Sequence, residues 1–342
     1  MISETPALQQ ARAALQARLG RLQLRPGPGG TWTIEDPQGV ACQLQVIERA
    51  TLRPSQVLTL EARARAAGPL LVVSRYLSPH TRDLLEAAGL GYADSTGNLY
   101  LALASPQVHV SVRATDRDPN PPTGAIASLR GRSAPRVVRG LIDHVPPYGV
   151  RQLAQAIHAT PAAVSRVLSL LDAEGLVTRS KAGGVAALDW LGVLRRWVQD
   201  YGLRTTHDPV RFLNPLTLPQ LQQRLRDLPL RHAVTGQLAA QLGLPEPVPV
   251  RLVAVYVEDI FATADRLGLV PADRAENVWL IAPREPCVFD RPWPGAGAGS
   301  QVVAGPSQVA ADLLTSPGRG PALAEPLLRW MAEHEDRWRS SL

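Results

Sequence analysis

The chain has 342 residues, 45% hydrophobic and 19% charged, too apolar for a disordered protein and long enough for two or three domains of about 100–200 residues each. Lys plus Arg number 36 against 30 acidic residues, a net charge of +6, and Lys181 is the only lysine. Two cysteines, Cys42 and Cys287, are too few for a disulfide framework or a zinc site; no 18-residue apolar run occurs, and the start MISETPALQQ lacks the regions of a secretion signal. The expectation is a cytoplasmic protein with buried free thiols and no membrane partner.

Residues 1–115 alternate helical and strand signals. Leu8, Leu15, Leu19 and Leu22 predict one helix over 7–24, and Thr31–Ile34 with Val40–Ile47 predict a hairpin broken at Asp36-Pro37-Gln38-Gly39. Pro54–Ala67 reads as a helix and Leu70–Tyr76 as an apolar strand. Ser78–Gly89 reads as a helix, with Ser78 as N-cap, Pro79 at its first position and Gly89 as its stop. Tyr92–Asp94 and Leu99–Leu103 are strands around Ser95-Thr96-Gly97-Asn98, where Asp94, Gly97 and Asn98 serve backbone angles.

This order, with LLVVSRYLSPHTRDLLEAAGLGYADSTGNLYL at its heart, resembles the restriction-endonuclease-like α/β fold. The resemblance implies two or three carboxylates and a lysine converging on Mg²⁺ and an attacking water. The matching positions hold Asp36, Gln43, Gln45, Glu48 and Arg49, and the domain has no lysine. Arginine neither deprotonates nor ligates metal. A non-catalytic domain is expected, with no catalytic residue, metal or cofactor.

Asp116 to Thr123 (DRDPNPPT) is rich in breakers, so residues 116–127 read as a linker. The charge beyond it is uneven. Residues 1–127 carry a net +2, residues 128–204 a net +6 and residues 205–342 a net −2. A localised basic block is the footprint of a polyanion, although chance scatter gives the same count.

Within 128–204, Ser128–Val145 predicts a helix from Val137, Val138, Leu141 and Ile142, accompanied by Arg130, Arg132, Arg136 and Arg139. Val150–His158, which includes Arg151, predicts a second short helix. Thr160 then caps a third, Pro161–Glu174, that buries Val164, Val167, Leu168 and Leu171 and ends at Gly175. Ala162, Ala163, Ser165, Arg166 and Ser169 form its outward face. Leu176–Arg179 and Val185–Leu188 flank Ser180-Lys181-Ala182-Gly183-Gly184 as a glycine-tipped hairpin.

The run LAQAIHATPAAVSRVLSLLDAEGLVTR resembles the winged helix-turn-helix family. A recognition helix entering a groove about 12 Å wide needs small outward residues near its start. The expected DNA-binding set is Arg130, Arg132, Arg136, Arg151, Thr160, Ala162, Ala163, Ser165, Arg166, Ser169, Arg179, Ser180 and Lys181. Arg166 would reach a guanine edge or a phosphate, and Arg179 and Lys181 the backbone or minor groove. A winged helix used for protein contacts is the alternative. Trp190, Leu191, Leu194, Trp197 and Val198 continue as an amphipathic helix. That stripe, or the closing helix with Trp330 and Trp338, either packs within the chain or supplies a homodimer seam.

Residues 205–342 read as an α+β domain. The expected helices are Pro219–Leu228, His232–Leu242, Ile260–Gly268, Ser307–Leu314 and Ala322–His334. The expected strands are Arg251–Val257, Asn277–Ile281 and Cys287–Phe289, with an edge piece at Gln301–Val303 after a flexible Gly295–Ser300. Scattered motifs, including TGQLAAQ, LVAVYVEDI and PSQVAADLLTSPGRG, resemble the C-terminal part of AbiEi-type antitoxin and regulator proteins. That resemblance implies a regulatory domain and a cognate toxin protein as partner. The fold class expected is multidomain α/β and α+β, and the function a DNA-binding transcriptional regulator acting at the nucleoid on double-stranded DNA. The alternatives are a DNA-processing or repair factor with a nuclease-like domain, and a structural DNA-binding factor.

Overall fold

The computed structural model describes residues 4–52, 54–116, 118–119, 128–246, 248–272, 274–294, 296 and 301–342. Most of the expected linker and of the Gly295–Ser300 stretch lies outside the described residues. The fold is mixed α/β, and the chain divides into two compact units: Met1–Ala127 with Leu170–Leu176, and Ser128–Ser169 with Val177–Leu342.

The first unit runs α1 (Pro6–Gln16), β1 (Gln23–Pro26), β2 (Thr31–Glu35), β3 (Ala41–Arg49), α2 (Val57–Ala67), β4 (Leu70–Ser74), α3 (Pro79–Ala87), β5 (Gly91–Asp94), β6 (Leu99–Leu103) and β7 (Val108–Val112). The seven strands lie in sequence order. β3, β4 and β5 are parallel and the rest antiparallel. Parallel neighbours need a crossover, which α2 and α3 provide. Central β4 is buried on both faces, which explains its unbroken apolar run. Leu71 and Val73 join Leu15, Trp32, Ile34 and Leu44 on the α1 face. Leu70 and Val72 join Val57, Leu60, Leu85 and Tyr92 on the other.

Two local outcomes differ from the sequence pattern. The helix expected over 7–24 stops at Gln16, and the chain turns through Gly20 at φ +60° into β1. The Gln16 side chain fixes that turn, donating to Leu22 O (3.0 Å) and accepting from Leu24 N (2.8 Å). Second, Asn98 does more than set backbone angles. It is 1% exposed, and its Nδ2 donates to Asp94, Thr96 and Thr115 O. Its Oδ1 accepts from Ala114 N (2.8 Å) and from Arg82 Nη1 (2.7 Å). Arg82 has no exposed surface, and its other partner is Asp116.

The second unit runs α4 (Ala134–Asp143), α5 (Val150–Ala156), α6 (Pro161–Ala173, counted here to Ser169), β8 (Val177–Arg179), β9 (Val185–Leu188), α7 (Trp190–Val198), α8 (Leu203–His207), β10 (Val210–Leu213) and α9 (Leu218–Arg226). It continues with β11 (His232–Thr235), α10 (Gly236–Gly243), β12 (Val253–Val257), α11 (Ile260–Leu267), β13 (Val270–Pro271), β14 (Val278–Ile281), α12 (Pro306–Leu314), α13 (Gly320–Glu333) and α14 (Glu335–Trp338). A five-stranded sheet has the order β11-β12-β14-β10-β13, with β12 and β14 parallel across α11.

Three expectations for 205–342 change. His232–Thr235 is a buried strand, and the helix starts only at Gly236, whose φ of +64° allows the switch. Pro286–Phe289 is a single 3₁₀ turn rather than a strand. The edge piece reduces to one bridge, Val303 with Val234. The tryptophans of the two stripes pack within the chain, Trp330 only half-buried. Trp190, Trp197 and Trp338 are buried, Trp190 meets Trp338 edge-on at 5.3 Å, and Trp190 Nε1 donates to Glu335. Trp330 packs between Trp293 and His334. Cys287 is buried as expected, whereas Cys42 is only half-buried.

Asn98→Ala removes the acceptor of a fully buried guanidinium and leaves its donors without a partner. A buried charged group stripped of a hydrogen bond costs upwards of about 3 kcal/mol. Urea unfolding should show a loss of that size, and a loss below about 1 kcal/mol would mean that water or Asp116 replaces the amide.

Candidate nucleic-acid interface

α5, a short turn, α6 and the β8–β9 hairpin form one local assembly. α4 and α5 meet closely because residue 140 is glycine: a Cβ there would lie 2.6 Å from Ile157 Cγ2. The chain leaves α5 through His158 at φ 51°. α6 then starts as its sequence dictates, with Thr160 Oγ1 accepting from Ala163 N (3.2 Å) and Pro161 at the first helical position. Tyr148 pairs with Val185 through both backbone bonds (3.1 and 2.9 Å), adding a third extended segment beside β9. At the hairpin tip Ser180 N donates to Gly184 O, and Gly183 holds φ +81°. A glycine at that position avoids the strain a side chain would meet there.

Thr160, Ala162, Ser165, Arg166 and Ser169 are exposed along α6, Arg151 is exposed on α5, and Lys181 is exposed at the tip. Arg179 and Ser180 are half-buried beside it. Among the described residues, no ion pair engages Arg151, Arg166, Arg179 or Lys181. Two hydroxyls are partly committed: Ser169 Oγ donates to Ser165 O, and Ser180 Oγ accepts from Gly184 N. Ala163 departs from its expected place. It is 5% exposed and packs inward beside Val164, so the buried face of α6 is one residue wider than the sequence suggested.

The arginines around α4 divide differently from their sequence expectation. Arg136 is not part of an open basic surface. Its guanidinium lies 3.4 Å from both Glu285 and Asp290 and donates to Ile157 O. Arg139 is buried, donates to Cys287 O and Asp290 O, and pairs with Asp143. Arg130 pairs with Asp200 at 3.5 Å, and Arg196 holds the same carboxylate at 2.8 Å. Arg132 is exposed at the mouth of a cavity. Part of the charge excess of 128–204 is therefore neutralised by acids that lie about 150 residues downstream.

The residues weighed as nuclease ligands are engaged elsewhere. Asp36 Oδ1 builds its turn by accepting from Gln38 N and Val40 N. Glu48 accepts from Thr5, and Gln45 bonds Ala67 O and Arg63. Among the described residues, no three His, Cys, Asp or Glu side chains gather as a metal site. No protein family, curated protein or solved structure matches the chain.

Arg136 and Arg166 should separate in unfolding experiments. Arg136→Ala leaves Glu285 without its cation and Ile157 O without a donor, so a loss of about 1–3 kcal/mol is expected. Arg166→Ala touches nothing and should stay within about 0.5 kcal/mol of the parent. Equal urea midpoints for the two variants would remove the distinction between a structural and an interface arginine.

Proposed function

We propose that this chain binds double-stranded DNA through α5, α6 and the β8–β9 hairpin, and that it acts as a transcriptional regulator. The observation that carries the reading is the set of four cations, Arg151, Arg166, Arg179 and Lys181, left unpaired on one helix-turn-helix and its hairpin. Unpaired surface cations at a helix start whose outward residues are small suit a phosphate-lined groove. The form of regulation we infer is the autoregulatory one that the AbiEi resemblance implies, with the sheet-bearing part of the second unit as its sensing portion.

Roles follow from position. The small residues Ala162 and Ser165 let α6 approach base edges, and Arg166 beside them reads a guanine or clamps a phosphate. Lys181, at the end of a hairpin, meets backbone phosphate. Thr160 orients the free N–H groups at the start of α6.

Four neutralised phosphates give a log affinity that falls against log salt with a slope of about −3.6. Duplexes selected from a random pool and titrated between low and moderate salt should show it; a slope near zero refutes the interface. Arg166→Ala should relax preference at one base position by about 1–3 kcal/mol, while Lys181→Ala should weaken all sequences alike. If both variants weaken every duplex equally, Arg166 contacts only phosphate.

A further inference from the structure

A second constellation lies in the same unit, away from the outward face of α6. A cavity of about 340 Å³ is lined by Arg130 and Arg132 ahead of α4, by Tyr201 and His207 around α8, by Arg284 after β14, and by Gln308 on α12. Three arginines thus line one space. The single carboxylate on its lining, Glu285, is held by Arg136. Arg130 has Asp200 at 3.5 Å, but among the described residues Arg132 and Arg284 have no acidic partner.

The inner wall is held by hydrogen bonds. Arg284 N donates to His207 Nδ1 at 3.3 Å, which puts the ring proton on Nε2. Burial, with the nearby Arg284 charge, pushes the imidazole down to about 4, so the ring is neutral. That Nε2–H is closed off from solvent and, among the described residues, has no hydrogen-bond partner, the ring lying T-shaped against Tyr201 and Tyr256. Tyr201 and Gln308 beside it are locked by Asp312: the tyrosine hydroxyl donates to that carboxylate, and Gln308 Nε2 donates to both. Arginines that line one cavity over a wall fixed by hydrogen bonds are the parts of an oxyanion site.

The geometry points to this cavity as a binding site for a small organic dianion carrying phosphate or carboxylate groups. Arg130, Arg132 and Arg284 would pair with its oxygens. The volume falls at the small end of ligand cavities, roughly 300–1,000 Å³, which suits a metabolite rather than a peptide or a duplex. The proposal stands whether or not the chain binds DNA.

Isothermal titration of the full chain with inorganic pyrophosphate, and separately with citrate, tests it. One saturable site is expected in at least one arm, and the arm that binds tells phosphate from carboxylate. Arg284→Gln and Arg132→Gln should each weaken that binding tenfold or more, about 1.4 kcal/mol. Arg166→Ala, on the outward face of α6, should leave it unchanged. Arg132 is exposed, so Arg132→Gln decides the matter even if Arg284→Gln fails to fold. No saturable heat at millimolar concentrations of either anion overturns the proposal. So does binding that survives Arg132→Gln or that is lost with Arg166→Ala.

Discussion

A carboxylate without water, Asp312, governs the second unit. α12 is buried along its whole length from Pro306 to Leu313, and it packs against α4, α7, α10, α13 and β11. A helix enclosed on every side can keep polar side chains only where each finds a partner, because an unmet polar group in the interior costs several kcal/mol. Asp312 meets four donors, from Tyr201, Thr235, Tyr256 and Gln308, drawn from four separate segments. One turn earlier, Ser307 donates to Asp143 at the end of α4. The small side chains Ala310 and Ala311 let neighbouring helices approach, and the polar ones fix their register.

The placing of α4 and α5 follows from that constraint. With α4 held by α12, Arg139 and Arg136 are brought against the loop that contains Cys287 and Asp290. Arg136 also donates to Ile157 O, the carbonyl at the end of α5, and so ties the turn before α6 to the same loop. Arginines that look equivalent in sequence thereby take opposite roles. Those on the inner side of α4 exchange water for carboxylates and carbonyls. Arg151 and Arg166, on α5 and α6, stay in solvent. Pairs at the surface contribute little, about 0–1 kcal/mol, so leaving these cations unpaired costs almost nothing in stability.

What the sequence revealed and what it hid divide along the same line. α6, its Thr160 cap, the hairpin at Gly183 and Gly184, and the Ser78 cap of α3 were legible because capping and turn chemistry act within four residues. His232–Thr235 was misread as helix because its apolar run suits either state, and only pairing with β12 makes it a strand. β7 was missed although VHVSV alternates, and Asn98 was read as a turn residue because Arg82 and Ala114 stand 16 residues away on either side. The exposed face of α6 was readable except at Ala163, which is buried. The role of Arg136 was not, since its acids lie 149 and 154 residues further along.

Buried charge is handled in two ways here, and the difference shows what each is for. Arg82 is fully enclosed and pairs with a neutral amide and a carboxylate, so its charge is met by an opposite charge. Asp312 has only neutral donors, and burial pushes its carboxyl up to about 6 even though four hydrogen bonds favour the charged form. A raised carboxyl gives its full stability below the unfolded value, near 4, and loses it as pH climbs through about 6. At neutral pH the ionised group therefore works against folding by about 3 kcal/mol relative to acid. An apolar side chain would carry no such penalty, but it could not orient two tyrosines, a threonine and a glutamine at once. Asp312 thus fixes geometry rather than adding stability, and Tyr201 and Gln308, two of the groups it orients, form the wall on which the arginine-lined cavity rests.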